Sequence, residues 1–320
     1  MHWTLTLAAF GVGIVVGLTG MGGGALMTPM LVLFFGVPPL TAVSNDLVAS
    51  AVMKPFGSVV HLRRGTVRLD LVKWLCIGSV PMAFAGVLIA RALGKSSQVE
   101  TMIQRALGVA LVIAALGLFV RAVIRLVERA KERDARLGAD PQGPPNIVVK
   151  PIPTLLIGAL GGLVVGMTSV GSGSLIIIAL MGLYPGLRAS ELVGTDLVQA
   201  VPLVASAAFG HILFGDFKPA LTLALLLGCI PGTYVGARVS AQTSGALVRR
   251  ALAFVLLASA LKLFGVSSRD TAYILIALAA LAGPVWMVVR ARNGFSALPW
   301  RERRAIAAAA LTPEPVAGEA

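Results

Sequence analysis

Two glycine-rich breaks interrupt stretches that are otherwise apolar. Gly20-Met21-Gly22-Gly23-Gly24 lies within residues 3–37, and Ser169-Val170-Gly171-Ser172-Gly173-Ser174 lies within 153–184. Glycine lets the backbone turn and lets another group approach it closely. Where a helix resumes after each break, near Gly24 and near Ser174, its first N–H groups lack partners and the helix dipole is positive. Those are the means of holding a small anion by backbone alone. The binding candidates at the two tips are therefore Gly22, Gly23, Gly24, Gly171, Ser172, Gly173 and Ser174. A second reading makes glycines close-packing sites between helices, and it suits Gly13-x-x-x-Gly17 and Gly162-x-x-x-Gly166 best.

Other polar groups stand inside apolar runs. Lys54 lies in the middle of the run 41–61, directly before Pro55. A lysine in such a place marks either function or a charged partner. Attraction of an anion is the functional reading, and pairing with Asp46 or Asp196 is the alternative. Asp46 lies eight residues from Lys54, about 12 Å along a helix, so a direct contact within that helix would be strained. Asp46 and Asp196 themselves fit either structural capping of free N–H groups or proton coupling. Asn45 and Thr195 precede them and offer neutral hydrogen bonds to an oxyanion. His61 and His211 read as hydrogen-bonding groups at helix ends, with proton transfer as the alternative.

Several other chemistries are excluded or weak. Gly20-x-Gly22-x-x-Ala25 matches a dinucleotide fingerprint, but that motif needs a strand–turn–helix unit. Ser172 or Ser174 with His211 could form a serine–histidine dyad. The first half carries Gly23 and Ala25 in the matching places without a hydroxyl, which speaks against catalysis there. Cys76 and Cys229 sit singly in apolar runs and read as filler rather than a metal site or a disulfide. There is no ATP-binding motif. No metal, cofactor or catalytic residue is expected.

These residues need a scaffold. Of 320 residues, 57% are apolar and 13% charged, about half the charged share of a soluble domain. So much apolar surface cannot be hidden in one aqueous core, which leaves lipid as the solvent. Runs long enough to span a bilayer occur at 41–61, 69–92, 102–124, 188–213, 217–240, 246–265 and 271–290. The two glycine-broken regions have arms of roughly 12–17 residues, about 18–25 Å of helix and short of a bilayer's hydrocarbon core. They read as helical hairpins that dip into the membrane, with two short spans as the alternative.

The halves repeat. Gly17-Leu18-Thr19-Gly20 onward matches Gly166-Met167-Thr168-Ser169 onward at an offset of 149. At an offset of 150, Asp46-Leu47-Val48 matches Asp196-Leu197-Val198, His61 matches His211, and Gly78-x-x-Pro81 matches Gly228-x-x-Pro231. With the N-terminus outside, 20 Lys and Arg fall on the inner segments and 6 on the outer, which sets N-out and C-in. The net charge of +13 is then topology, and nucleic acid is not an expected partner. The basic loop after His61 falls inside and its counterpart after His211 outside, so the halves are inverted. The expected fold is an all-α polytopic membrane protein with two inverted repeats. Each repeat is a re-entrant hairpin plus three transmembrane helices, and one extra C-terminal helix follows. The divisions are 1–126, a basic Pro-rich linker 127–150, 151–265, the added span 266–292 and a tail 293–320.

The paired glycine-rich tips, the Asn45-Asp46 and Thr195-Asp196 dipeptides and the Gly-x-x-Pro helices resemble the sulfite exporter TauE/SafE family over nearly the whole chain. Gly20-Met21-Gly22-Gly23-Gly24 followed by Pro29 is the most specific part, and Gly171-Ser172-Gly173-Ser174 is a looser match. The resemblance implies transport, usually outward, of small sulfur-containing anions such as sulfite or organosulfonates. Inverted repeats with broken helices point independently to a secondary transporter with its site near the midplane. The expectation is a carrier in a bacterial inner membrane. It binds its anion between the tips, assisted by Asn45, Thr195 and Lys54, and its partners are that anion and the lipid bilayer. A passive anion channel is the alternative.

Overall fold

The computed structural model describes residues 2–19, 23–93, 97–136, 147–171, 173, 175–240 and 245–295. Among them every regular element is a helix. In chain order these are α1 (His2–Thr19), α2 (Gly24–Phe35), α3 (Pro39–Arg63), α4 (Leu69–Ala92), α5 (Ser97–Arg136), α6 (Pro151–Thr168), α7 (Leu175–Leu183), α8 (Ala189–Phe214), α9 (Pro219–Ser240), α10 (Gly245–Leu263) and α11 (Ser268–Arg292). Six of them, within α4, α5, α6, α8, α9 and α11, are long and apolar enough to cross a membrane. The chain is a polytopic helical membrane protein.

The broken regions are helix pairs, α1–α2 and α6–α7, as the glycines predict. Their arms are uneven. Both first arms run 18 residues, about 27 Å, while α2 has 12 residues and α7 has 9. The first arms are thus longer than the sequence reading allowed, and α6 alone qualifies as a span by length and composition. Turn chemistry ends α2. Gly36 adopts a left-handed conformation, the N–H of Val37 donates to the carbonyl of Leu31, and Pro38-Pro39 then restarts the chain as α3.

The helices group into two compact units, Met1–Ala122 with Gln142–Thr271, and Val123–Pro141 with Ala272–Ala320. Both repeats therefore share the first unit. Inside it, α5 shows why apolar composition was needed on all sides. Ile103, Leu107, Ala110, Leu111, Ala114 and Leu118 form one buried stripe, while Met102, Val109, Val112, Leu116 and Phe119 are exposed on the other. A helix apolar around its whole circumference suits a lipid surround. In the second unit, α11 ends with the Arg290 guanidinium 5.6 Å from the centre of the Phe295 ring.

The two repeats interlock. The first arm of each packs along the fourth helix of the other, α1 on α9 and α6 on α4, while α3 and α8 cross between them. Glycines set these contacts. A Cβ on Gly228 would overlap the Thr6 carbonyl, and one on Gly78 would overlap the Leu155 carbonyl. Gly236 meets the Ile14 carbonyl as Gly86 meets that of Leu163, and Gly13 meets Cys229 as Gly162 meets Ser79. Each pair of contacts is the same contact displaced by the 149–150-residue offset. Small residues let the backbones touch, which is how helices gain packing energy where lipid removes the hydrophobic drive.

Gly78→Ala is therefore expected to lower stability by about 1–3 kcal/mol through overpacking, because the obstacle is backbone and cannot rotate away. Gly11 on α1 has nothing within reach of a Cβ, so Gly11→Ala is expected to be neutral or to gain up to about 1 kcal/mol. Thermal unfolding of the two purified variants checks the contrast.

Candidate functional site

The site is built on a polar stripe along α3. Asp46, Ser50, Lys54 and Ser58 recur every four residues, so they share one helix face, and all four are buried. The stripe lies at the crossing with α8, where the Ser58 hydroxyl donates to the Leu197 carbonyl at 2.9 Å.

The two tips meet at this stripe. A Cβ on Gly24 would overlap the carbonyl of Ser169, so the start of α2 lies directly on the end of α6. Ser169 takes a left-handed backbone with φ of 61°, the only positive φ at a non-glycine among the described residues. That conformation disfavours an L-residue, and the side chain offsets it by donating to Asp46 Oδ2 at 2.9 Å. Thr28 on α2 donates to the same oxygen at 2.5 Å, and Ser50 donates to Oδ1 at 3.3 Å. The Asp46 carboxylate thus joins the first hairpin, α3 and the second hairpin. Gly23 differs from its neighbour, since a Cβ there would meet only the Met27 methyl at 3.5 Å and other side chains at 3.9 Å.

The second tip turns at Gly171, where φ is 123°, and the N–H of Val170 donates to the Thr168 hydroxyl at 3.2 Å. Arg121 of α5 donates to the Gly173 carbonyl. Asp196 lies beside this tip, since a Cβ on Gly173 would stand 4.0 Å from Asp196 Oδ2. Gln199 donates to Asp196 Oδ1 at 3.2 Å. Lys54 is 7% exposed and interacts electrostatically with both Asp196 and Asp46, and Arg121 interacts with Asp196. Two cations and two carboxylates therefore gather where the tips cross. Gly22, Ser172 and Ser174 lie outside the described residues.

Asn45 and Thr195 each bond to the other repeat. Asn45 Oδ1 accepts from the N–H of Lys218 at 3.1 Å and from the Thr222 hydroxyl at 2.8 Å. Its amide donates to the carbonyls of Thr41 and Asp216 at 2.7 and 3.4 Å. All four of its hydrogen-bonding positions are used. Thr195 Oγ1 accepts from the N–H of Arg68 at 3.0 Å. Lys218 and Arg68 stand just before α9 and α4, and they are repeat partners. Each dipeptide thus holds the start of a helix belonging to the other repeat. His211 is a buried strut, with Nε2 at 2.9 Å from the Gly166 carbonyl and Nδ1 at 2.8 Å from Ser44 Oγ. The first contact requires a proton on Nε2. His61 is partly exposed and reaches Thr66 Oγ1 at 3.0 Å. The structure thus brings Gly24, Asp46, Lys54, Gly173 and Asp196 together at the crossing. Asn45, Thr195, His61 and His211 make interhelical and helix-end contacts away from it.

Sequence reasoning passed over Thr28, Ser50, Ser169 and Gln199, whose roles depend on pairings between elements. Arg121 did carry a signal. Like Lys54, it is a charge inside an apolar run, and it counts among the 20 inner Lys and Arg that set the orientation.

The description "Sulfite exporter TauE/SafE" matches residues 5–263. That stretch ends with α10, so α11 lies beyond it. The chain is 38% identical over 264 residues to "Probable membrane transporter protein YjnA" of Bacillus subtilis (strain 168), covering 82% of this chain and 100% of that one. It is 26% identical over 234 residues to "Probable membrane transporter protein YdhB" of the same organism, covering 73% and 88%. A third protein of that organism, "Probable membrane transporter protein YunE", is 35% identical over 96 residues, 30% of this chain and 33% of its own. No solved structure matches significantly.

Two substitutions separate these roles. Asn45→Ala leaves the Lys218 N–H and the Thr222 hydroxyl without their acceptor, and a loss of about 1–3 kcal/mol is expected in thermal unfolding. Gly24→Ala must push the tips apart, whereas Gly23→Ala meets only ordinary contacts. Ligand-dependent stabilisation or transport is expected to fall at least about tenfold in Gly24→Ala and to persist in Gly23→Ala.

Proposed function

Since the chain belongs to the sulfite exporter TauE/SafE family, we propose that it is a secondary transporter exporting a small sulfur-containing anion of the sulfite or organosulfonate class. The anion is held between the two glycine-rich tips near the membrane midplane. The observation that carries this reading is Lys54, a cation buried on the α3 stripe where the tips cross. In a low-dielectric interior such a charge attracts an anion far more strongly than it would in water. The backbone N–H groups of Gly22–Gly24 and Gly171–Ser174 supply further donors, and the oxygens of a sulfite or sulfonate group accept several bonds at once.

In this reading the other residues act in support. Asp46 keeps the two tips in register through Thr28, Ser50 and Ser169. Asn45 and Thr195 position α9 and α4. The repeats are inverted across the membrane with N-out and C-in topology in a bacterial inner membrane. Alternating access comes from movement of the hairpin-bearing elements around the α3–α8 crossing.

Thermal stabilisation of the purified chain tests this reading with sulfite, thiosulfate, sulfate, taurine, sulfoacetate and chloride. A ligand at a hundred times its Kd adds about 2.7 kcal/mol, which reads as a rise of several degrees. The expected result is a rise with at least one sulfur anion and none with chloride, lost in Lys54→Met. A rise with chloride alone, or no rise with any sulfur anion, would sink the sulfur assignment.

A further inference from the structure

Asp46 and Asp196 occupy equivalent places in the two repeats, yet their surroundings differ. Asp46 accepts hydrogen bonds from three hydroxyls on three elements, Thr28, Ser50 and Ser169. Among the described residues, Asp196 accepts a hydrogen bond from Gln199 alone. Lys54 on α3 and Arg121 on α5 both act electrostatically on Asp196, whereas among the described residues Lys54 alone does so on Asp46. Arg121 also holds the Gly173 carbonyl, so it links Asp196 to the binding tip itself. From α4 the facing titratable group is Cys76, whose thiol lies 3.9 Å from the Gln199 carbonyl. His211, on the same helix as Asp196, is fifteen residues along, about 22 Å away, and is tied to Ser44 and Gly166.

The formal charges of Lys54, Arg121, Asp46 and Asp196 sum to zero. An anion entering that cluster leaves one uncompensated negative charge in a medium that penalises it heavily. Building on the transport reading above, we propose that Asp196 is an exchangeable counter-ion, so that one proton enters the site with each anion. With Asp196 ionised, it occupies Lys54 and Arg121. When a solvent proton binds the Asp196 carboxylate, both cations are turned over to the substrate and the cluster stays neutral. Asp46 keeps its three hydroxyl donors throughout and serves as the fixed post of the tip crossing. Arg121 is then a specificity residue, because it places a second cation beside Lys54. The stoichiometry makes movement of a monoanion electroneutral. A dianion carries one net negative charge, so an interior-negative membrane potential drives it outward.

The test is isothermal titration of the purified full-length chain in buffers of different ionisation enthalpy, from about pH 6 to about pH 9. Methanesulfonate and isethionate are the probes because they are monoanions whose charge is fixed across that range, and acetate and nitrate are titrated alongside. The wild-type protein is expected to take up about one proton per anion at the alkaline end, with Kd weakening roughly tenfold per pH unit there. Asp196→Asn is expected to bind without proton uptake and with a Kd that is flat with pH. Arg121→Gln is expected to bind at least about tenfold more weakly. The wild-type count needs no variant to fold. A sulfur anion that binds with no proton uptake overturns this assignment and leaves the sulfur reading standing, as does uptake that persists in Asp196→Asn. A non-sulfur anion that binds alone with one proton does the reverse. Absence of binding by every probe at every pH overturns both.

Discussion

One buried carboxylate holds the centre of this protein. An unwound backbone inside a membrane has no water to satisfy its polar groups, so protein must do so. Asp46 takes hydroxyl protons from α2, from its own helix and from the residue that ends α6. The left-handed turn at Ser169 and the contact of its carbonyl with Gly24 depend on that grip. Two broken helices that would each be unstable alone in lipid become one joint, and the cations of the site are arranged around it.

The rest of the packing follows from how the chain reaches that joint. The first arm of each hairpin lies on the fourth helix of the opposite repeat, and its glycines bring backbone against backbone. Asn45 and Thr195 repeat the exchange in polar form, each holding the start of a helix from the other half. Through these contacts Met1–Ala122 and Gln142–Thr271 share a single compact unit. An arm and its partner helix are locked by close contact, while α3 and α8 are joined by fewer, more polar contacts such as Ser58 to Leu197.

Symmetry sets the frame and departures from it carry the chemistry. Lys54 has Val204 at its repeat position, and Ser169 has Gly20. Among the described residues, Asp46 takes three hydroxyl donors and Asp196 takes Gln199, in places that the repeat makes equivalent.

The sequence by itself determined the solvent, the helices and the repeat. Apolar length and glycine placement are local properties, so the spans 69–92 and 217–240 and the breaks at both tips were readable without any partner. The offset of 149–150 residues even paired Gly78 with Gly228 before their contacts were known. Tertiary structure alone decided which polar groups face one another. Asp46 and Ser169 are 123 residues apart, and Asn45 and Thr222 are 177 apart. A hydrogen bond depends on position in space, and no spacing along the chain distinguishes an asparagine that meets a ligand from one whose four bonds are already taken. Arg121 shows the same limit from the other side. Its charge was visible in the sequence, but only the fold carries α5 to the tip and turns that charge toward Gly173 and Asp196.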